Sequence, residues 1–203
     1  MNLRIRDYQP DDDQDLYYIC LKTGDHGADG ERFYVEDPDA LGRIYVAPYL
    51  EFASELAMVL EDAEGVCGYA LGALDSRAFY EQYERQWRPD LCRRFPAPEG
   101  EASAWSRLEE VYDCYHHPDY FCPEPYSDYP SHLHIDLLPR GQGQGFGWRM
   151  MAELLRRLQV LGSPGVHLAM SDRNDNAHRF YIKLGFEDLI RVDDVIYMGM
   201  RFD

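Results

Sequence analysis

The stretch from His132 to Met151 reads HLHIDLLPRGQGQGFGWRMM, and its three successive parts decide the fold. His132-Leu133-His134-Ile135-Asp136-Leu137-Leu138 alternates in the manner of a strand with two different faces. Pro139 ends that run, and Gly141, Gly143, Gly145 and Gly147 follow at alternate positions. A helical stripe then begins, with Phe146, Met150, Leu154 and Leu158 at intervals of four. Strand, glycine loop and helix in that order direct backbone N–H groups and the positive end of a helix dipole at an anion. The loop is a candidate cradle for the pyrophosphate of a coenzyme.

Spacing narrows the choice of coenzyme. A dinucleotide fold needs G-x-G-x-x-G, but Phe146 or Trp148 stands where the last glycine belongs in either register. A P-loop needs Gly-Lys-Ser/Thr, and no lysine is near. Gln142-x-x-Gly145-x-Gly147, three residues beyond Pro139, resembles the acetyl-CoA loop of the Gcn5-related N-acetyltransferases, R/Q-x-x-G-x-G/A after a strand ending in proline. Arg140-x-x-Gly143-x-Gly145 also fits, but the family's proline spacing favours Gln142.

The whole chain is compatible with that resemblance. Its 203 residues suffice for one well-cored domain spanning 1–203. An apolar fraction of 45% beside a charged fraction of 28% describes an ordinary globular composition. There is no apolar run of membrane-spanning length, and Met1-Asn2-Leu3-Arg4-Ile5-Arg6-Asp7 has no signal core. Five irregularly spaced cysteines without a C-x-x-C pair point to a reduced, cytoplasmic protein. A formal charge of −17 repels nucleic acid and anionic membranes, so neither is an expected partner. The same charge suits a cationic acceptor, such as a lysine-bearing peptide or a polyamine, or serves solubility alone.

In chain order, Leu3 to Arg6 alternates as a first strand, and Asp11-Asp12-Asp13 reads as a cap and solvated turn before a helix over Asp15 to Lys22. Leu41 to Phe52 is expected to be helical, and Leu56 to Leu60 a buried strand. A turn at Glu61 to Gly65 returns the chain as an antiparallel strand over Val66 to Leu74. Gly68 and Gly72 within that strand predict a bulge or a close backbone approach. Residues 75–130 form a long aromatic insertion between strands 3 and 4, with helices expected over Ser76 to Arg88 and Ser103 to Tyr112. Its tyrosines and prolines suit either a recognition surface or a lid packed on the core. The glycine-loop helix ends at Gly162, a strand follows over Val166 to Met170, and this unit implies parallel pairing.

Asn174 to Phe186 carries a second motif. It resembles the family pattern N-x-R-A-x-x-x-Y-x-x-x-G-F, with Asn176 in place of the arginine. Two patterns in the right order, one strand apart, identify the chain as a member of the Gcn5-related N-acetyltransferase superfamily. The implied fold is α/β (α+β), a mixed central sheet flanked by helices. Tyr129 to Pro139 further resembles the C-terminal histone-acetyltransferase-like domains of O-GlcNAcases, which are regarded as pseudo-acetyltransferases. The chain has no room for a glycosidase barrel, so sugar hydrolysis is not implied.

The resemblance implies acetyl-CoA as co-substrate or ligand and assigns roles residue by residue. Leu137 and Leu138 end the strand that meets the coenzyme, with an oxyanion-donating N–H near Leu137. Arg140, Gln142, Gly143, Gln144, Gly145, Phe146 and Gly147 form the pyrophosphate cradle. Asn174 matches the helper on the pantetheine arm, and Tyr181 the acid for the departing thiolate, though Tyr181 also reads as a core tyrosine. His132, His134 and Asp136 share one strand face. His134 or Asp136 is placed to take the amine proton, or the two simply satisfy each other's hydrogen bonds. His134-x-Asp136 also opens the H-x-D motif of iron oxygenases, but helices follow here where that chemistry has strands. His116-His117 lacks zinc spacing, so no metal is expected. Two functions remain: acetyl transfer to an amine, or a module that binds acetyl-CoA and a peptide without turnover.

Overall fold

The computed structural model describes residues 3–202. Strand β1 (Arg4–Asp7) leads through a turn at Pro10–Asp12 into helix α1 (Asp13–Thr23), which buries Leu16, Ile19 and Cys20. Asp12 closes that turn but is not solvated. It accepts two guanidinium bonds of 2.7 Å from Arg6 and the Gln9 amide at 2.8 Å, and is itself buried. The helix expected over 41–52 is two pieces, α2 (Gly42–Tyr45) and α3 (Ala47–Phe52), broken at Val46. Pro48 explains the break, because it has no N–H for the carbonyl one turn back.

Strands β2 (Met58–Asp62) and β3 (Gly65–Ala73) form the expected antiparallel hairpin, two residues later at its start. Its register shifts between Leu60 and Glu61, so Cys67 is the extra residue of a bulge. Gly72 marks a close approach, since a Cβ there would lie 2.9 Å from Leu154 Cδ1.

The connection from β3 to β4 (Ser131–Leu137) carries α4 (Ser76–Gln82), a π-helical turn at Tyr83–Trp87, α5 (Arg88–Arg94) and α6 (Arg107–His116). The first helix therefore runs past its expected end. Pro89 cannot continue the ordinary bonding pattern, and the widened π turn absorbs it. Helix α6 starts after Ser106 rather than at Ser103, because Ser106 and Glu109 cap each other reciprocally. None of the aromatic side chains between residues 75 and 130 is exposed. Their hydroxyls bond inward: Tyr115 to the Ala40 carbonyl at 2.8 Å, Tyr112 to Asp37 at 3.0 Å, Tyr120 to Glu84 at 2.6 Å. The segment packs as a lid.

The last third is α7 (Phe146–Val160), β5 (Gly165–Ser171), α8 (Asp175–Leu184), β6 (Glu187–Val192) and β7 (Val195–Arg201). Met150, Leu154 and Leu158 of α7 are fully buried against the sheet, as their spacing predicts. Seven strands form one sheet in the order β1-β2-β3-β4-β5-β7-β6, all antiparallel except β4 with β5. That parallel pair has two rungs, Ser131 with Val166 and His132 with His167, after which the strands diverge. Among the described residues no helix is long and apolar enough to cross a membrane.

Candidate functional site

The divergence of β4 and β5 opens the sheet in its middle, and the site is built around that opening. The Leu138 amide donates to the Cys67 carbonyl of β3 at 2.8 Å. In an antiparallel ladder such bonding alternates, so Asp136 and His134 also turn their backbone groups toward β3. Ile135 and Leu137 accordingly turn theirs toward the gap. The Leu137 carbonyl is met there by Gln142 Nε2 at 2.7 Å.

Beyond β4 the chain makes a short turn at Pro139–Gly141 and enters the glycine loop. Gly143 and Gly145 sit at φ +74° and +80°, in the left-handed region, and a Cβ at either position would meet no heavy atom within 4 Å. Gly145 is the N-cap of α7 and offers it no side-chain hydrogen bond, and no acidic residue stands in the first turn. The first amides of a helix have no partner within it, so this end is an open cluster of donors at the positive pole. Gly147 lies under the Phe180 ring, 3.6 Å from its Cζ to the place of a Cβ.

A cavity of about 580 Å³ joins these parts. Its walls include Ile135, Asp136 and Leu137 of β4, Gln142, Gly143, Gly145 and Gly147 of the loop, and Asn174 and Tyr181 of the α8 region. All but Ile135 are site residues expected from separate stretches of sequence, and the fold brings them together. Asn174 caps α8, its Oδ1 accepting from the Ala177 amide at 3.0 Å, and Gly185 ends the helix at φ +101°. Tyr181 is 7% exposed; burial first, and then the Asp136 charge, hold its hydroxyl well above the ordinary tyrosine range. It reaches the cavity wall as a protonated group.

His134 is not part of the wall but stands directly behind it, its Nε2 2.9 Å from Asp136 Oδ2. The same Oδ2 accepts the Tyr69 hydroxyl at 2.6 Å. Other candidates point elsewhere. The Arg140 guanidinium turns back to the β2–β3 hairpin, bonding Asp62 at 3.1 Å and the Val66 carbonyl at 2.8 Å. Leu138 is buried, Phe146 packs half-buried against the core, and Gln144 reaches the Arg140 carbonyl at 3.3 Å. His132 is buried in an aromatic cluster and hydrogen-bonded to Ser76 at 2.7 Å, away from the cavity. Among the described residues no group of three or more His, Cys, Asp or Glu is placed to hold a metal.

The model of the Acetyltransferase (GNAT) family matches residues 30–186, more than half of the chain. The chain belongs to the GNAT acetyltransferase family. The crystal structure of SsHAT superposes with a TM-score of 0.89 and 37% identity, over 99% of this chain and 98% of that one. Protein O-GlcNAcase of Rattus norvegicus is 30% identical over 200 residues, and the mouse protein 29% over 201 residues. The match takes in 96% of this chain but only 22% of each O-GlcNAcase, so the chain spans about a fifth of the curated relatives it matches. A phosphinothricin acetyltransferase of Sinorhizobium meliloti, solved in complex with AcCoA, shares the fold at TM-score 0.57 and 17% identity, over 99% of this chain and 89% of that one.

Within this GNAT fold, one wall of the cavity was not foreseen. Thr23 at the end of α1, His26, Gly27 and Ala28 of the loop after it, and Trp148 and Phe180 also line it. Gly27, at φ +91°, allows the approach, since a Cβ there would fall 2.6 Å from Asn174 Nδ2. Local sequence offered only the glycines of that loop as a sign.

Proposed function

We propose that this chain binds acetyl-CoA in the cavity between β4 and α8 and transfers the acetyl group to an amine. The observation that carries the reading is the uncapped N-terminus of α7, opening through Gly143 and Gly145 onto the cavity that holds Asp136 and Tyr181. The coenzyme's pyrophosphate fits the amides of Gly143 to Gly147, where glycines leave room for it. Its pantetheine arm fits the gap beside β4, where the backbone of Ile135 and Leu137 supplies the hydrogen bonds that β5 no longer takes. The amide of Leu137 is the donor for the oxyanion, and Tyr181 the acid for the thiolate. The His134–Asp136 pair handles the amine proton. Membership of the GNAT family, and relatives solved with AcCoA such as the S. meliloti enzyme, support the coenzyme assignment.

Isothermal titration with acetyl-CoA, followed by thiol release with spermidine and with a lysine-containing basic peptide, tests the reading. Binding with amine-dependent thiol release is the expected result. Binding without release gives the second function instead, a module that holds acetyl-CoA without turnover. No binding overturns both.

A further inference from the structure

We propose that Trp148 and the side chains of Arg149, Arg179 and Lys183 hold the adenosine end of the coenzyme, the indole stacking on the purine and the cations taking its 3′-phosphate. The inference rests on the coenzyme reading above and extends it to the part of the ligand beyond the glycine loop.

The distribution of charge singles these residues out. The chain has 20 Lys and Arg against 37 Asp and Glu. Among the described residues, Arg149, Arg179 and Lys183 are the three of those 20 that form no ion pair with a carboxylate. They are neighbours in the fold. Arg149 follows Trp148 in the first turn of α7, and Arg179 and Lys183 flank Phe180 on α8. The rings of Trp148 and Phe180 meet with their centroids 6.4 Å apart, which brings the two helices together at this point.

Local contacts fix where the cations stand. Asn176, Arg179, Phe180 and Lys183 fall at i, i+3, i+4 and i+7, so they share one face of α8. Arg179 donates to Asn176 Oδ1 at 2.6 Å, and Asn176 lines the cavity. The Arg149 guanidinium lies 4.7 Å from the centre of the Phe146 ring, beside the head of α7. No acidic residue stands in the first turn of α7, and the one carboxylate of α8, Asp175, pairs with none of the three. A protein with a formal charge of −17 repels a polyanion over most of its surface. Three unpaired cations at one place give that polyanion a point of arrival.

Trp148 supplies the second contact. It lines the cavity yet is 45% exposed. Its one ring contact among the described residues, with Phe180, is perpendicular at 85°, so no protein ring is stacked on it. A purine laid on the indole removes apolar area of both from water.

The connectivity of the coenzyme brings its adenosine here. Pantetheine and adenosine leave from opposite ends of the pyrophosphate. With the pyrophosphate on the amides of Gly143 to Gly147 and the pantetheine along β4, the adenosine departs at the far side of the loop. Gly147 lies there under Phe180, with Trp148 next in sequence. The loop brings no free cation of its own, because the Arg140 guanidinium is bound to Asp62. A phosphomonoester carries nearly two negative charges at neutral pH, and an arginine fork meets two of its oxygens at once.

Isothermal titration of the full chain with acetyl-CoA, and with acetyl-dephospho-CoA, which lacks the 3′-phosphate, reads the two contacts separately. The parent is expected to bind acetyl-CoA on the order of tenfold more tightly at low salt, with the difference shrinking as salt rises. Arg149→Gln, Arg179→Gln and Lys183→Gln combined should bind both ligands alike, at the parent's affinity for the dephospho form. Trp148→Ala should weaken both ligands by the same factor, roughly tenfold, and Trp148→Phe should restore most of it. All four side chains are on exposed residues, so the urea midpoint of each variant should stay near the parent's. Equal affinity of the parent for the two ligands overturns the phosphate contact, and unchanged affinity in Trp148→Ala overturns the stack; both results leave the coenzyme reading standing. A parent that binds neither ligand overturns the coenzyme reading and this inference with it.

Discussion

Lowering the pH from 7.5 to 5.5 is expected to remove about 1.4 kcal/mol of folding stability through His132 alone. The imidazole is 5% exposed and packs against Tyr49, Phe79 and Tyr80. Ser76 Oγ donates its proton to the Pro130 carbonyl at 2.8 Å, so its 2.7 Å contact with His132 is donated by Nδ1. Nε2 is buried without a hydrogen-bond partner among the described residues. Burial first, and then the neighbouring His167 and His134, hold the pKa of His132 well below the ordinary histidine value. The unfolded chain thus takes up a proton near pH 6.5 that the native state refuses. Stability is complete above that pH and declines as pH falls below it toward the folded pKa. At pH 5.5 the unfolded state gains about RT ln 11, or about 1.4 kcal/mol, from one such site. His167, lowered mainly by burial, adds in the same direction. Carboxylates held low by arginines, Asp12 by Arg6 and Glu153 (lowered to about 2) by Arg156 and Arg157, are silent in this window. Their stabilisation begins to be lost only below the unfolded carboxylate value of about 4. Urea unfolding followed by circular dichroism, on the parent and on His132→Gln at both pH values, gives the double difference. An equal pH-dependent loss in the two proteins refutes the neutral buried imidazole.

Gly145→Glu is expected to abolish acetyl-CoA binding in a calorimetric titration, by placing a side chain and a negative charge at the head of α7; Gly145→Ala should cost about 1 kcal/mol of stability from the left-handed backbone alone. Tyr181→Phe should leave the acetyl-CoA Kd within roughly twofold and slow thiol release by about ten- to a hundredfold, measured at saturating coenzyme. Gly72→Ala should lower urea stability by about 1–3 kcal/mol, because its Cβ would press on Leu154 Cδ1 in the packed layer under α7.

The parts of the site that were legible in the sequence are those whose geometry is local. The Gly143 and Gly145 backbone, the Asn174 cap and the Gly185 terminator are each properties of a few neighbouring residues. Helix α7 was readable for the same reason, since its stripe at intervals of four is a property of one segment. What escaped depends on contacts between distant segments. Gly27 meets Asn174 across 147 positions of chain, and nothing near Gly27 announces it. Tyr69 reads as one more apolar residue of a hairpin strand; only its register opposite Asp136 makes it a partner of that carboxylate. Arg140 sits inside the expected cradle, yet Asp62 at the end of β2 takes its guanidinium away. The lid over 75–130 was undecided because aromatic composition is the same for a binding surface and a packed one. The inward hydrogen bonds of Tyr112, Tyr115 and Tyr120 decide it.

The two-rung contact between β4 and β5 has a mechanical consequence. Beyond that corner no strand rungs cross the slit among the described residues, and the inner strands and the outer ones, β5 with β7 and β6, are bridged by α7, which packs on β3, β4 and β5. A molecule that spans the slit becomes a strut. Along β4 this should appear as a striped pattern of amide hydrogen exchange. His134, Asp136 and Leu138, bound to β3, stay slow throughout. Ile135 and Leu137 are fast in the free protein and slow once the slit is filled. The stripe would show that the central strand has one finished edge and one edge completed by its ligand.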